Sequence, residues 1–145
     1  MKKEAKITVN TRNSNMGNSD FSVVSFGSLE EIDDCILIEY EDVSPNETHE
    51  TMIKNTIKIA PGQVDIIKDD AEGTHMIFIM GENTVSYYST PYGILEFSVH
   101  TTKISIKKNG DELRLLLCYG IQIESDILSK VRIDLKVKEV NNVKA

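Results

Sequence analysis

The stretch Leu113-Arg114-Leu115-Leu116-Leu117-Cys118-Tyr119-Gly120-Ile121-Gln122-Ile123, followed closely by residues 127–137, decides the fold. Every odd position of the first segment is apolar or aromatic. In the second the odd positions are Ile127, Ser129, Val131, Ile133, Leu135 and Val137. The even ones from Lys130 onward are Lys130, Arg132, Asp134, Lys136 and Lys138. Alternation with period two describes strands with one wet face and one buried face. Sustained over this length, it predicts a sheet that closes around one core.

The strand before this pair changes phase. Leu95, Phe97 and Val99 are apolar at odd positions, Ile104 and Ile106 at even ones. A regular strand cannot do that and keep one face buried. Asn109-Gly110 is a type I′ hairpin signal and would set Ile106 opposite Leu113 and Ile104 opposite Leu115. One extra residue within residues 100–103 then restores the pairing, so a β-bulge is expected there, as at a barrel corner. At the last hairpin, a three-residue loop of Glu124, Ser125 and Asp126 would set Ile123 against Ile127.

Upstream, Ala5, Ile7 and Val9 alternate with polar residues, and residues 13–20 read as a loop rich in Asn, Ser and Gly. Residues 21–26 suggest a second strand of open phase, and residues 29–32 one helical turn. Ile36, Ile38 and Tyr40 mark a third strand. Ile53, Ile57 and Ile59 mark a fourth, which Pro61-Gly62 turns so that Ile59 faces Val64 and Ile57 faces Ile66. Residues 76–80 are apolar at every position, as a strand covered on both faces would be. The whole chain, residues 1–145, thus reads as a single all-β domain. Its expected form is an antiparallel up-and-down β-barrel of about 8–10 strands, with a two-sheet sandwich as the alternative.

The net charge of −7 argues against nucleic acid and against an anionic membrane surface as partners. The basic even face of the last strand reads as a solvated strand face. No apolar run has the length of a membrane helix, and no apolar stretch follows the basic N-terminus as in a signal peptide. Cys35 and Cys118 lie far apart in no metal or redox spacing, which suits free thiols in a cytoplasmic protein.

The segment Tyr87-Tyr88-Ser89-Thr90-Pro91-Tyr92-Gly93, followed by a long strand, an Asn-Gly turn and Leu117-Cys118-Tyr119-Gly120-Ile121, resembles the YwiB-like family of bacterial proteins of unknown function. The resemblance covers residues 34–140. It implies a calycin-type, lipocalin-like barrel. An Arg placed before Gly in that family is absent here, where Lys68 and Asp69 lead through residues 70–72 to Gly73.

The candidate ligand-binding residues are Tyr88, Thr90, Tyr92 and Tyr119, whose hydroxyls could orient a ligand at a barrel mouth. Turn chemistry also explains residues 90–93. His49, His75 and His100 show no metal-pair spacing, and no nucleophile, phosphate-loop or dinucleotide motif occurs, so no catalytic residue, metal or cofactor is expected. Glu39, Glu41 and Asp42 form an acidic cluster with no partner nucleophile. The expected function is a non-enzymatic cytoplasmic barrel, monomer or homodimer, holding a small, partly apolar ligand. The alternative is a packed barrel that acts as a protein-interaction module. Bulky aliphatics on the inward phase favour filling.

Overall fold

The computed structural model describes residues 2–13, 19–43, 52–69, 74–90, 93–123 and 126–140. The strands are β1 (Lys2–Asn13), β2 (Ser19–Ile32), β3 (Cys35–Val43), β4 (Met52–Ala60) and β5 (Gln63–Lys68), then β6 (Thr74–Ile79), β7 (Asn83–Thr90), β8 (Gly93–Asn109), β9 (Glu112–Ile123) and β10 (Asp126–Glu139). Each pairs antiparallel with its sequence neighbours, and β1 pairs with β10 to close the barrel. Full closure leaves no sheet edge to template aggregation.

Alternation decides which side chains enter the core. Leu113, Leu115, Leu117, Tyr119, Val131, Leu135 and Val137 are all buried, and with Ile7, Ile38, Ile57, Val64, Phe78 and Val99 they form one apolar cluster. Ile121 and Ile133 pack against it half-buried. Residues 29–32 belong to β2, not to a helical turn: they pair in ladder register with residues 35–38 of β3, and Leu29 enters the core. Residues 76–80 are not doubly covered either. Phe78 points into the core, whereas Ile77 and Ile79 are half-buried on an outer face with no second layer, and Met80 is exposed.

The hairpins divide between the two ends. At one end β2–β3, β4–β5, β6–β7 and β8–β9 join through short turns. Gly62 at φ 75° and Gly110 at φ 65° take the left-handed conformation there that favours glycine. At the other end the strands join through residues 14–18, 44–51, 70–73, 91–92 and 124–125. The longer connections thus gather at one mouth.

Ile59 faces Val64 and Ile57 faces Ile66, as the sequence implies. The bulge also falls where expected: Thr101 pairs with Tyr119 and Lys103 with Cys118, leaving Thr102 extra. The register beyond it differs by two residues. Ile106 meets Leu115 and Ile104 meets Leu117, because Gly110-Asp111, not Asn109-Gly110, occupies the turn. A shift of two keeps every side chain on its expected face. In the last hairpin Asp126 pairs with Ile123, so the connection is two residues long. A second irregularity between Ile127 and Ser129 then restores the expected register.

The β6–β7 seam is held unusually. One residue pair, His75 with Tyr87, is in ladder register there. The Ile77 N–H donates instead to the Ser86 hydroxyl at 3.3 Å, and the Thr84 hydroxyl donates to the Ile77 carbonyl. Side-chain hydroxyls thus satisfy backbone groups that an irregular ladder leaves over.

Candidate functional site

The barrel interior grades from aliphatic to polar along its axis. One inward row joins Ile36, Ile59, Val64 and Phe78 in register across β3 to β6. The next row toward the long-connection mouth joins Ile38, Ile57, Ile66 and Met76. The row after that is polar: Tyr40 pairs with Asn55, Asn55 with Lys68, and Lys68 with Thr74. Tyr40, Asn55 and Thr74 are buried and Lys68 is half-buried. The Asn55 Nδ2 donates to the Ile53 carbonyl at 3.2 Å. Burying such groups costs free energy unless they are satisfied, so four in register on the core face are unlike ordinary core filling.

A second polar position lies on β8 and β9. Thr101 is fully buried beside the bulge, and its hydroxyl has no hydrogen-bond partner among the described residues. It pairs with Tyr119, whose ring packs on Phe78 with centroids 4.7 Å apart, tilted by 54°. Burial pushes the Tyr119 phenol well above the ordinary tyrosine range, so it stays an O–H donor at any physiological pH.

Of the four residues chosen from sequence, Tyr119 enters the core. Tyr88 and Thr90 occupy β7, opposite Leu95 and Gly93, at the long-connection mouth. Tyr92 lies outside the described residues. Tyr40, Asn55, Lys68 and Thr74 were missed. The signal for them was present: Asn55 interrupts the apolar phase of Ile53, Ile57 and Ile59, and Tyr40 and Thr74 continue the inward phases of their strands.

Of the acidic cluster, Glu39 is held in surface ion pairs. Glu39 meets Lys54 at 2.8 Å and Lys2 at 3.6 Å, and the Lys54 hydrogen bond holds its carboxyl below the ordinary glutamate range. His100 bonds Asn83 at 2.7 Å and His75 bonds Asp65 at 3.0 Å, both on outer faces. No group of His, Cys, Asp and Glu able to hold a metal occurs among the described residues. Cys35 and Cys118 are free and half-buried. At the short-turn end, a depression of about 200 Å³ is lined by Lys3, Leu29, Glu31 and Lys108. The Lys108–Glu31 ion pair sits within it, and it is smaller than typical ligand sites.

These features define a closed, ten-stranded, up-and-down β-barrel with a polar row inside one mouth. The chain belongs to the family described as Domain of unknown function (DUF1934), which it matches over residues 7–135. It is also similar in structure to the ywiB protein from Bacillus subtilis, with a TM-score of 0.82 and 15% identity over 97% of this chain and 94% of that one. Likeness at that identity speaks for the fold. No curated protein matches the chain. The YwiB-like resemblance read from residues 87–93 and 117–121 is therefore borne out. The family match reaches further upstream than that reading, into β1.

Proposed function

We propose that the barrel is a non-enzymatic cytoplasmic carrier of a small amphipathic anion. The apolar part would lie against the aliphatic rows, and the anionic head against Lys68, Asn55 and Thr74. The observation that carries this reading is the polar row set above two aliphatic rows on the inward face. Sites of this kind combine apolar walls with a few polar groups that fix orientation. The buried Thr101 hydroxyl and the Tyr119 phenol add donors deeper inside. An ammonium in the row favours a carboxylate or phosphate head.

A packed-barrel interaction module is the second reading. Phe78, Leu115, Leu117 and Leu135 are fully buried, and small barrels can fill with side chains alone. A thermal-shift series separates the two, with acetate, dodecanoate and dodecanol as probes. The carrier reading expects dodecanoate to raise the melting temperature by about 5 °C at hundredfold excess over its dissociation constant. Acetate should do nothing and dodecanol should do less. Tyr119→Phe and Lys68→Met should weaken the dodecanoate shift. No shift with any probe would favour the interaction module.

A further inference from the structure

We infer that the outer face of β8, β9, β10 and β1, together with Phe26 of β2, binds single-stranded nucleic acid. This face is distinct from the interior site and independent of it. Closure brings cations from four strands side by side in three rows. In the first, Lys6 and Lys138 pair directly and Phe26 continues the row on β2. In the second, Lys136, Arg114 and Lys107 follow one another across β10, β9 and β8. In the third, Arg12 and Arg132 pair on β1 and β10, and Lys103 continues beyond Cys118.

These eight residues are half of the chain's 16 Lys and Arg, although the net charge is −7. The carboxylates among them are few. Glu112 meets Arg114 at 3.0 Å and Lys136 at 3.5 Å, and Asp134 meets Arg132 at 3.6 Å; Glu4 lies on β1 beside Lys6. Lys6, Lys103, Lys107 and Lys138 are exposed and have no carboxylate partner among the described residues. Glu112 also stands opposite Lys138 in register, and Glu96 is exposed further along β8, so the face carries eight cations against Glu4, Glu96, Glu112 and Asp134 and keeps a positive excess. A net charge is an average over the surface, whereas a polyanion meets one face of it.

Alternate outward positions of β10, about 6.7 Å apart, carry Arg132, Asp134, Lys136 and Lys138, so the cations there are interrupted once, at Asp134, and lie at a spacing that an extended sugar-phosphate backbone can follow. The second observation selects nucleic acid over an acidic protein. Phe26 is 71% exposed, the most exposed large apolar side chain among the described residues, and pairs in register with Lys6. Val24 beside it is 55% exposed and pairs with Thr8. An aromatic ring on the rim of a basic strip is the arrangement by which single-strand binders stack bases while cations track phosphates. Stacking needs an unpaired base, so a duplex gains nothing from Phe26.

The test is fluorescence anisotropy of a labelled fifteen-nucleotide oligouridylate titrated with the full chain at 50 and 200 mM salt. Binding is expected at low salt and should weaken with a log–log slope of about −0.7 per phosphate contacted. Lys136→Glu combined with Lys138→Glu should abolish it. Phe26→Ala should weaken it roughly tenfold, and Lys58→Glu, exposed on β4, should leave it unchanged. Lys6→Ala is a milder variant that should reduce the salt slope by about 0.7, one phosphate contact. Thermal melts of each variant show whether it is folded. No binding at 50 mM salt would overturn the proposal. So would a duplex of equal length binding as tightly while Phe26→Ala is silent. Displacement of the oligonucleotide by polyglutamate at equal charge, with Phe26→Ala silent, would assign the face to an acidic protein and also overturn it.

Discussion

Gly27 shows how much a single residue decides. It sits on the inward phase of β2, between Ala5 of β1 and Tyr40 of β3. A Cβ there would lie 1.9 Å from the Glu39 carbonyl oxygen and 2.9 Å from the Tyr40 Cβ. The first is backbone and cannot rotate away, so the two strands would have to part. Gly27→Ala should cost about 1–3 kcal/mol in a urea titration, in the range of overpacked cores. It should also move Tyr40, a member of the polar row. A substitution within about 0.5 kcal/mol of wild type would mean that β2 and β3 are not this close. Nothing in the sequence marks this contact, because it depends on strand approach and not on pattern. Asn55 is the opposite case. A polar residue in the apolar phase of Ile53, Ile57 and Ile59 was legible, and only its register with Lys68 and Tyr40 required the fold.

At the scale of strands and turns, period two made the faces readable. Ile57 against Ile66 follows from alternation and the Pro61-Gly62 turn, and an extra residue within 100–103 follows from the change of phase; the structure makes it Thr102. Turn placement was harder, because Asn109-Gly110 and Gly110-Asp111 both satisfy turn chemistry and give registers two residues apart. Both preserve the faces, so burial cannot choose between them. Pairs across neighbouring strands carry the pH dependence. Lys54 on β4 hydrogen-bonds Glu39 on β3 and lowers its pKa. A carboxylate whose folded pKa is depressed adds stability above its unfolded value, about pH 4. That stability is lost as pH falls through the folded value. Wild type should therefore have a higher urea midpoint than Lys54→Gln at pH 7, and the two should coincide in strong acid. An equal gap at both pH values would mean that Lys54 acts through packing of its alkyl stem.

Over the whole molecule, closure turns ten alternating strands into an inside and an outside. The family resemblance and the barrel were legible from residues 87–93 and from the last two strands. The closing pair was not, since β1 and β10 stand at opposite ends of the chain and only three dimensions join them. The same holds for the polar row, gathered from four strands, and for the basic outer face, which a net charge of −7 conceals. No helix among the described residues is long and apolar enough to cross a membrane. The outer wall carries exposed lysines and arginines where a lipid-facing barrel would be apolar. What the interior does rests on Lys68 and its row. Isothermal titration of dodecanoate, below its micelle concentration and at two temperatures, tests this most directly. The expected result is one site per chain, a negative heat-capacity change from apolar burial, and binding weakened at least tenfold by Lys68→Met. Absence of binding heat at both temperatures, or equal affinity in Lys68→Met, would contradict it.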